Sequence, residues 1–345
     1  MHNKLRRRLL AILLLSVALL VLLPFARGYF KSEPVEPWFN ITYDSELVFR
    51  SYATHPAAAG ILAAVERQAL LGKTGVFPET WALPAFGQLR ENIMVAPRYR
   101  LATCQIEKIM STIRHAMFCY LTNPFGFRSN NKSMGLQSWT ESFCGWSNYR
   151  SDIDAVEQEA NQKYIRFAII RDPFERFLSG FIDKCLKESN FKYDVRCLGC
   201  KGDIKCFIER LFHLLYGMSH NRTTVAREVW YVARHFGPQS WQCNFKKQLK
   251  SYRLIVFPEG PTQSEIIARE ITRILKEAFV PRDMRTHIRR ELSKGKSRHS
   301  TSDALERGDV RERILSNRYL RRLIALIYYF DYVVFGFAMP SWFFI

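Results

Sequence analysis

The 345-residue sequence is poor in acidic residues relative to basic ones. It contains 32 aspartates and glutamates against 51 lysines and arginines, which gives a formal net charge of +19. A surplus of this size favours an anionic partner, such as a nucleic acid, an acidic membrane or an acidic polysaccharide. A basic surface that serves only solubility is the simpler alternative.

The sequence also lacks the motif of ordinary nucleotide-binding P-loops. It contains no G-x-x-x-x-G-K-[ST] segment, which disfavours a nucleoside triphosphatase of that type. Disorder is excluded as well, because hydrophobic residues make up 48% of the chain and aromatic residues 14%. The length fits one large α/β domain or two small ones.

The N-terminus combines a basic cluster with an apolar run. Lys4 and three arginines precede residues 9–26, and no A-x-A-like cleavage site follows that run. A helix of this length spans about 27 Å at about 1.5 Å per residue, close to a hydrocarbon core of about 30 Å. The positive-inside rule leaves residues 1–8 in the cytosol. We therefore predict a single-pass type II membrane protein, with a cleaved signal peptide as the alternative.

Two further features agree with a lumenal location. The eight cysteines should form disulfides in an oxidising compartment, although Cys197, Cys200, Cys206 and His213 could imitate a zinc site. A lumenal domain would not meet nucleic acid, so that partner is excluded. Sequons for N-glycosylation begin at Asn40, Asn131 and Asn221.

The rest of the chain is predicted to be a stem, residues 27–50, followed by one lumenal domain, residues 51–345. Short apolar runs predict strands at residues 93–96, 164–170 and 252–257, and helical spacing follows each of them. Strands that alternate with helices predict an α/β fold with a largely parallel central sheet flanked by helices. Residues 97–104 are interpreted as a strand-to-helix loop.

The C-terminal segment, residues 323–345, is apolar enough to resemble a second membrane span. Asp331 falls inside it and Pro340 interrupts it. A charge at membrane depth is costly, so we predict a buried helix followed by a strand.

Two loops carry the residues expected to bind an anionic cofactor. Such a cofactor needs backbone N–H groups at a helix start together with fixed cations. Residues 97–104 supply arginines and lead into a helix that carries Lys108. The second loop places Arg171 at a strand end, with Arg176 and Ser179 on the next helix. A capped amphipathic helix, with Asp172 and Glu175 forming a capping box, is the alternative.

Three motifs resemble those of the Golgi carbohydrate sulfotransferases, a family that includes chondroitin, dermatan and HNK-type enzymes. Residues 167–185, FAIIRDPFERFLSGFIDKC, resemble its 3′-phosphate-binding segment. Residues 97–108 resemble its 5′-phosphosulfate loop, and Cys104 and Lys108 keep the C-x-x-x-K spacing. His235-Phe236-Gly237-Pro238-Gln239, followed by Cys243, resembles a third family motif.

The resemblance implies a P-loop-like sulfotransferase fold and a Golgi membrane enzyme that uses 3′-phosphoadenosine-5′-phosphosulfate (PAPS). Its acceptor would be a glycan hydroxyl, with a glycosaminoglycan such as chondroitin preferred, and no metal is expected. By the same resemblance, Arg171 and Ser179 would hold the 3′-phosphate. Thr103, Cys104 and Lys108 would hold the 5′-phosphosulfate.

The sequence departs from the family pattern at the catalytic cation. Arg98 stands where the family has a lysine after proline, and three extra residues precede Cys104. We assign the cation to Arg98 or Arg100, and the base that accepts the acceptor's proton to His235, with Glu175 in reserve.

Two other functions remain open on sequence grounds. The altered loop would suit a weak or inactive glycan-binding relative. A Golgi glycosyltransferase would use the D-x-D of residues 152–154, but the segment before this D-x-D is polar, whereas a metal-binding one normally ends an apolar strand.

Overall fold

The computed structural model describes residues 82–87, 89, 91–137, 142–188, 196–219, 227–294, 301 and 304–344. The predicted cytosolic tail, membrane helix and stem lie outside these residues, as do the sequons at Asn40 and Asn221. Among the described helices, none combines the length and apolar character needed to cross a membrane.

The core of the fold is a five-stranded mixed sheet with the strand order β3-β1-β2-β4-β5. Strand β1 runs antiparallel to β2 and β3, whereas β2 and β5 run parallel to β4. The predicted α/β class is confirmed, but the sheet is mixed rather than largely parallel. The strands are β1 (Ile93–Ala96), β2 (Leu101–Cys104), β3 (Tyr149–Arg150), β4 (Ile165–Ile170) and β5 (Tyr252–Val256).

The mixed character arises from a hairpin that the sequence interpretation missed. Residues 97–99 form a 3-10 turn, and Arg100 closes it in the left-handed region with φ 44°. Leu101–Cys104 then returns as β2, with all four residues buried. The segment interpreted as a strand-to-helix loop is therefore mostly turn and strand. Residues 105–110 form the loop that leads into the next helix.

Helices cover both sides of this sheet. They are α1 (Ser111–Thr122), α2 (Pro124–Ser129), α3 (Ile153–Ala160), α4 (Pro173–Phe181), α5 (Ile204–Ser219), α6 (Arg227–Phe236), α7 (Phe245–Gln248), α8 (Gln263–Glu277), α9 (Arg282–Ser293), α10 (Glu306–Ser316) and α11 (Arg318–Phe335). A π-helical segment, Ile182–Lys187, continues α4, and 3-10 turns lie at Gln239–Trp241, Leu249–Ser251 and Ser341–Phe344.

Two apolar clusters hold these layers together. One packs α1, α8 and α9 against the sheet, and the other joins α4, α5, α6 and α11. Helix α4 lies close to α6, since a Cβ added at Gly180 would lie 2.7 Å from the Phe236 ring. The amphipathic helix predicted after Arg171 is confirmed, and its apolar side chains are buried: Phe174, Phe177, Leu178, Phe181 and Ile182.

The C-terminal segment forms the predicted buried helix, α11. Asp331 is fully buried there, and its two carboxylate oxygens accept hydrogen bonds from the backbone N–H groups of Gln239 (2.7 Å) and Ser240 (2.9 Å). The predicted strand after the helix is wrong, because the described residues that follow form the turn Ser341–Phe344 instead.

All eight cysteines pair, which confirms the disulfide prediction. Because its thiols are consumed in disulfides, the zinc alternative at Cys197, Cys200 and Cys206 is wrong. The pairs are Cys104–Cys243, Cys119–Cys144, Cys185–Cys197 and Cys200–Cys206.

Candidate active site

The candidate site lies where the carboxyl ends of β2 and β4 meet. These strands are parallel neighbours, so both end at the same edge of the sheet. Residues 105–110 lead from β2 into α1, and Arg171 and Asp172 lead from β4 into α4. Two helix N-termini therefore begin side by side, which is a favourable arrangement for binding anions.

The loop after β2 has an unusual backbone. Lys108 and Met110 both lie in the left-handed region, with φ of 67° and 56°. Non-glycine residues rarely adopt this conformation, and such residues cluster at functional sites. No described side chain caps the N-terminus of α1. The first backbone N–H groups of this helix are therefore available to an anion.

Arg114 fixes this loop from the α1 side. Its guanidinium is fully buried and donates to Thr103 Oγ1 (3.2 Å), the Cys104 carbonyl (2.8 Å) and the Ile106 carbonyl (3.1 Å). Its Nε has no hydrogen-bond partner among the described residues, but its other donors all bind protein oxygens. This pattern indicates a structural role. Arg114 therefore fixes the position of the end of β2 relative to α1.

Arg176 fixes the same loop from the α4 side. Its buried guanidinium donates to the carbonyls of Glu107 (3.0 Å), Gly237 (2.8 Å) and Arg234 (3.1 Å). These bonds tie the loop after β2 to α6 and to the turn that follows it. The family-like motif at residues 235–239 is thus joined to the candidate site through Arg176.

The backbone of Arg171 is clamped by a buried amide. Gln239 Oε1 accepts from the Arg171 N–H (2.9 Å), and Gln239 Nε2 donates to the Arg171 carbonyl (2.8 Å). Asp331 in turn accepts from the Gln239 N–H (2.7 Å). A chain of contacts therefore runs from α11 to the end of β4. Sequence reasoning missed both partners, although a glutamine in a family motif and a carboxylate in an apolar helix were signals.

The Arg171 side chain keeps an unused donor. Its Nη1 lies 3.4 Å from the Lys108 carbonyl, and its guanidinium lies 5.0 Å from the centre of the Phe257 ring. Its Nε is buried and has no hydrogen-bond partner among the described residues. Burial and the nearby Arg307 lower the pKa of Arg171 to about 10, so it is still a cation at neutral pH.

The predicted phosphate-binding helix contacts the C-terminal part of the chain. Ser179 Oγ accepts a 3.0 Å hydrogen bond from Thr301 Oγ1, and both residues are buried. The Glu175 N–H donates to Asp172 Oδ1 at 2.9 Å, as a capping box requires. The Glu175 carboxylate, however, forms ion pairs with Arg307 and Arg311.

Lys108 belongs to a buried ion-pair cluster. Its Nζ lies 2.8 Å from Asp183 Oδ2, and Lys184 Nζ lies at the same distance from that oxygen. Each lysine side chain is only 8% exposed. Burial and the neighbouring charge of Lys184 lower the pKa of Lys108, while Asp183 opposes this shift. Asp183 and Lys184 lie on the π-helical segment, a local widening that often marks functional sites.

His235 lies in the same electrostatic neighbourhood. It is buried, and its Nδ1 lies 2.7 Å from the Tyr231 carbonyl, which assigns the proton to Nδ1. Burial lowers the pKa of His235 to about 3, although Glu107 opposes this and Lys184 and Lys108 reinforce it. The imidazole is therefore neutral, with its proton on Nδ1 and its lone pair on Nε2.

Glu107 contributes a negative charge that compensates the cations around His235. Burial alone would raise its pKa, but Arg234, His235 and Ser111 together outweigh burial and bring the pKa of Glu107 down to about 2. This carboxylate is therefore ionised beside the neutral imidazole of His235.

Comparison with known proteins agrees with this geometry. The pattern of the sulfotransferase family matches residues 91–338, a range that contains every site residue described above. The chain belongs to the sulfotransferase family. Residues 1–90, including the predicted membrane anchor, lie outside the match.

Three proteins of Caenorhabditis elegans are similar to this sulfotransferase. A carbohydrate sulfotransferase (chst-1) is 30% identical over 260 residues, 74% of this chain and 78% of the relative. A putative sulfotransferase (vep-2) is 30% identical over 215 residues, 61% of this chain and 65% of its own. An uncharacterized protein is 26% identical over 255 residues, 72% of this chain and 70% of its own. No solved structure matches the chain significantly.

The sulfotransferase brings together four of the residues predicted from its sequence. Lys108, Arg171, Ser179 and His235 all belong to the loops and helices at the carboxyl edge of β2 and β4. This edge combines available backbone donors with buried cations, as an anionic donor of the sulfuryl group requires.

Arg98 and Arg100 are placed elsewhere. Both are exposed on the hairpin turn before β2, at the opposite end of the strand from the loop that carries Lys108. Four residues at about 3.3 Å each separate the two ends by more than about 10 Å. This placement disfavours their assignment as the catalytic cation. Residues 97–100 form the hairpin turn and do not belong to the loop that carries Lys108.

Thr103 and Cys104 shape the sulfotransferase's site without presenting their side chains to it. Both are buried in β2. The Thr103 hydroxyl accepts from Arg114, and the Cys104 sulfur is bonded to Cys243. These two residues fix the strand end from which the loop departs.

The D-x-D sequence has a structural role in the described fold. Asp152 caps α3 by accepting from the N–H groups of Asp154 (2.8 Å) and Ala155 (3.2 Å). Asp154 pairs with the buried Arg166 at 2.8 Å. Both carboxylates thus stabilise α3 and β4, which disfavours the glycosyltransferase alternative.

A metal-ligand-like cluster lies near the sheet. Nitrogen and sulfur atoms of His115, Cys119 and Cys144 approach within 4.8 Å of one another. The two cysteines are bonded as a disulfide, so they offer no thiolate. This cluster therefore belongs to the disulfide framework.

Two buried histidines should make the sulfotransferase less stable in mild acid. Burial lowers the pKa of His115 to about 4 and of His235 to about 3, from an ordinary value of 6.5. Below pH 6.5 the unfolded chain binds protons that the folded chain excludes. Each histidine should therefore cost up to about 1.4 kcal/mol of unfolding free energy per pH unit as the pH falls.

Denaturant unfolding between pH 7 and pH 5 measures this effect, and each His→Gln variant should show a shallower pH dependence than the wild type. Identical pH profiles for the wild type and both variants would show that neither buried imidazole controls acid stability.

Proposed function

We propose that this sulfotransferase transfers a sulfuryl group from PAPS to a hydroxyl of a glycan. One observation carries the proposal: the uncapped N-terminus of α1 with Lys108 and the half-buried side chain of Arg171 lie at one sheet edge. PAPS has two anionic ends, a 5′-phosphosulfate and a 3′-phosphate. Two neighbouring anion-binding groups suit such a molecule.

The chemistry of the donor set fits this nucleotide. The site offers backbone N–H groups, two lysines and the unused Nε of Arg171. Donors of this kind bind phosphate and sulfate oxygens. PAPS, when bound, supplies a sulfuryl group already activated for transfer.

We assign the catalytic cation to Lys108. Its ammonium group follows β2 directly, and Asp183 fixes its position. A cation placed before the reaction can neutralise charge that develops on a leaving oxygen without reorganisation. The first N–H groups of α1 would hold the 5′-phosphosulfate beside it. Arg171 and Ser179 would hold the 3′-phosphate.

We assign His235 Nε2 as the base that takes the proton from the hydroxyl of the glycan. The Tyr231 carbonyl fixes the ring with Nδ1 protonated, which leaves Nε2 as the nitrogen that can accept a proton. A neutral imidazole can accept a hydrogen bond and then a proton from a hydroxyl. Glu175 is no longer needed as a reserve base, because two arginines engage its carboxylate.

We further propose a glycosaminoglycan such as chondroitin as the acceptor, and a Golgi membrane location with the domain in the lumen. The net charge of +19 supports a polyanionic acceptor. The carbohydrate sulfotransferase among the relatives supports a sugar hydroxyl. Four disulfides suit an oxidising lumen, and residues 9–26 would form the anchor.

The test is label transfer by the purified full-length protein in detergent. We expect transfer from radiolabelled PAPS to at least one member of a panel of desulfated glycosaminoglycans, in the presence of EDTA. Arg171→Ala should weaken PAPS binding by at least about tenfold, since a charge-assisted contact is lost.

Binding of PAPS without transfer to any acceptor would favour the inactive glycan-binding alternative. Metal-dependent transfer from a nucleotide sugar would favour a glycosyltransferase. A wild-type protein that does not bind PAPS would reject the proposal.

A further inference from the structure

A second arginine stands beside Arg171, from a distant part of the chain. Arg307 on α10 has a side chain that is 16% exposed. Its Nη1 is buried and, like the Nε of Arg171, has no hydrogen-bond partner among the described residues. After burial, the charge of Arg307 is the largest influence that lowers the pKa of Arg171. Its ion pair with Glu175 on α4 places it at the helix that begins just after Arg171. The two guanidinium groups repel each other, and the Glu259 carboxylate, which acts on both, offsets part of that repulsion.

Two neighbouring cations with unused buried donors need an explanation. An unsatisfied buried N–H group destabilises a folded protein, and like charges at close range add to that cost. An anion between the two groups would satisfy both donors and remove the repulsion. Arginine also suits phosphate, because its planar fork can donate two parallel hydrogen bonds.

The fold holds Arg307 at this place through α4. Glu175 on α4 accepts an ion pair from Arg307. One turn further along α4, Ser179 accepts the 3.0 Å hydrogen bond from Thr301. The chain just before and within α10 is therefore fastened at two points to the helix that follows β4. Both fastening residues of α4 are buried.

We propose that Arg307 is a further ligand of the nucleotide's 3′-phosphate, acting together with Arg171, and that Glu175 is the positioning residue that orients it. This inference rests on the proposed function and deepens it. It also gives Glu175 a role that differs from helix capping and from proton transfer. Arg307 lies about 130 residues from Glu175 in sequence, so local patterns could not indicate the contact.

The chain offers a matched control in Arg311. It lies one turn further along α10 and pairs with the same carboxylate of Glu175. Its side chain, however, is 42% exposed, and its guanidinium lies 5.3 Å from the centre of the Phe174 ring. Replacing either arginine by glutamine removes the same charge from the same ion-pair cluster, but only Arg307 neighbours Arg171.

The experiment is calorimetric titration of the full-length protein with adenosine 3′,5′-bisphosphate and with adenosine 5′-phosphate, which lacks the 3′-phosphate. Arg307→Gln should lower the affinity for the bisphosphate by at least about tenfold and change the affinity for the monophosphate by less than about twofold. Arg311→Gln should change both affinities by less than about twofold. Glu175→Gln introduced into the wild type should lower the affinity for the bisphosphate. The same change introduced into the Arg307→Gln variant should have little further effect.

Several outcomes would overturn the inference. Unchanged affinity of Arg307→Gln for the bisphosphate, or an equal loss of affinity for both nucleotides, would exclude a contact with the 3′-phosphate. A wild-type protein that binds neither nucleotide would reject the proposed function itself. If Arg307→Gln does not fold, Arg307→Lys decides: it keeps the charge but loses the fork, and unchanged bisphosphate affinity would refute the inference.

Discussion

Replacing Lys108 by alanine should lower the rate of sulfuryl transfer by about a hundredfold to a thousandfold, with a much smaller change in PAPS affinity. The ammonium group is fixed by Asp183 at 2.8 Å in the loop between β2 and α1. A cation that acts on charge developing in the transition state contributes mainly to kcat. Steady-state kinetics with a saturating acceptor, together with calorimetric binding of PAPS, would separate the two effects.

The matched controls are Arg98→Ala and Arg100→Ala. Both arginines are exposed on the hairpin turn, so each change should alter kcat by less than about twofold. The Lys108 variant should fold, because Lys184 remains 2.8 Å from Asp183 and keeps that carboxylate paired. A large loss in either hairpin variant, with an active Lys108→Ala protein, would restore the catalytic role first assigned to Arg98 or Arg100.

The elements with a strong local signal could be predicted from the sequence. Strand β1 was predicted with the boundaries observed, because a four-residue apolar run ends at Pro97. Helix α4 was predicted from Asp172 as the N-cap and from the spacing of its aromatic residues, and the structure confirms both. These signals depend on neighbours in sequence, which is where periodicity and capping rules apply.

Strand β2 could not be predicted in the same way. The strand has only four residues, too few for a clear periodic pattern. Its place in the sheet depends on Arg100 adopting a left-handed conformation that favours glycine. No turn glycine marks the hairpin. The proline at residue 97 was therefore interpreted as the start of a loop, and the anion-binding loop was placed too early. Lys108 was still identified, because its spacing from Cys104 does not depend on the hairpin.

The contacts that position the site were also beyond local patterns. Gln239 clamps Arg171 from 68 residues away, and Asp331 holds Gln239 from a further 92 residues. Arg114 and Arg176 occupy helix positions that suit a solvated face, yet both are fully buried. Most hydrogen bonds from their guanidinium groups go to backbone carbonyls of loops that come together only in the tertiary fold.

The Cys104–Cys243 disulfide should be the largest covalent contribution to stability. It joins residues 139 apart in sequence, and the chain-entropy relation gives about 5 kcal/mol for a closed loop of that length. The other disulfides shorten the effective loop, so we expect the Cys104→Ala/Cys243→Ala protein to lose about 3 to 5 kcal/mol of unfolding free energy. Guanidinium chloride unfolding of the wild type and the variant measures the difference.

The Cys200–Cys206 pair provides the control, since its residues are only 6 apart and the same relation gives about 2 kcal/mol. The two disulfides should also differ in function. Cys104 ends β2, and Cys243 follows the turn that carries Gln239, so the long-range disulfide joins the Lys108 loop to the support of Arg171. Its removal should weaken adenosine 3′,5′-bisphosphate binding under conditions in which the protein is still folded, whereas removal of Cys200–Cys206 should not. Equal losses of stability and affinity in the two variants would show that the position of the long-range disulfide is unimportant to the site.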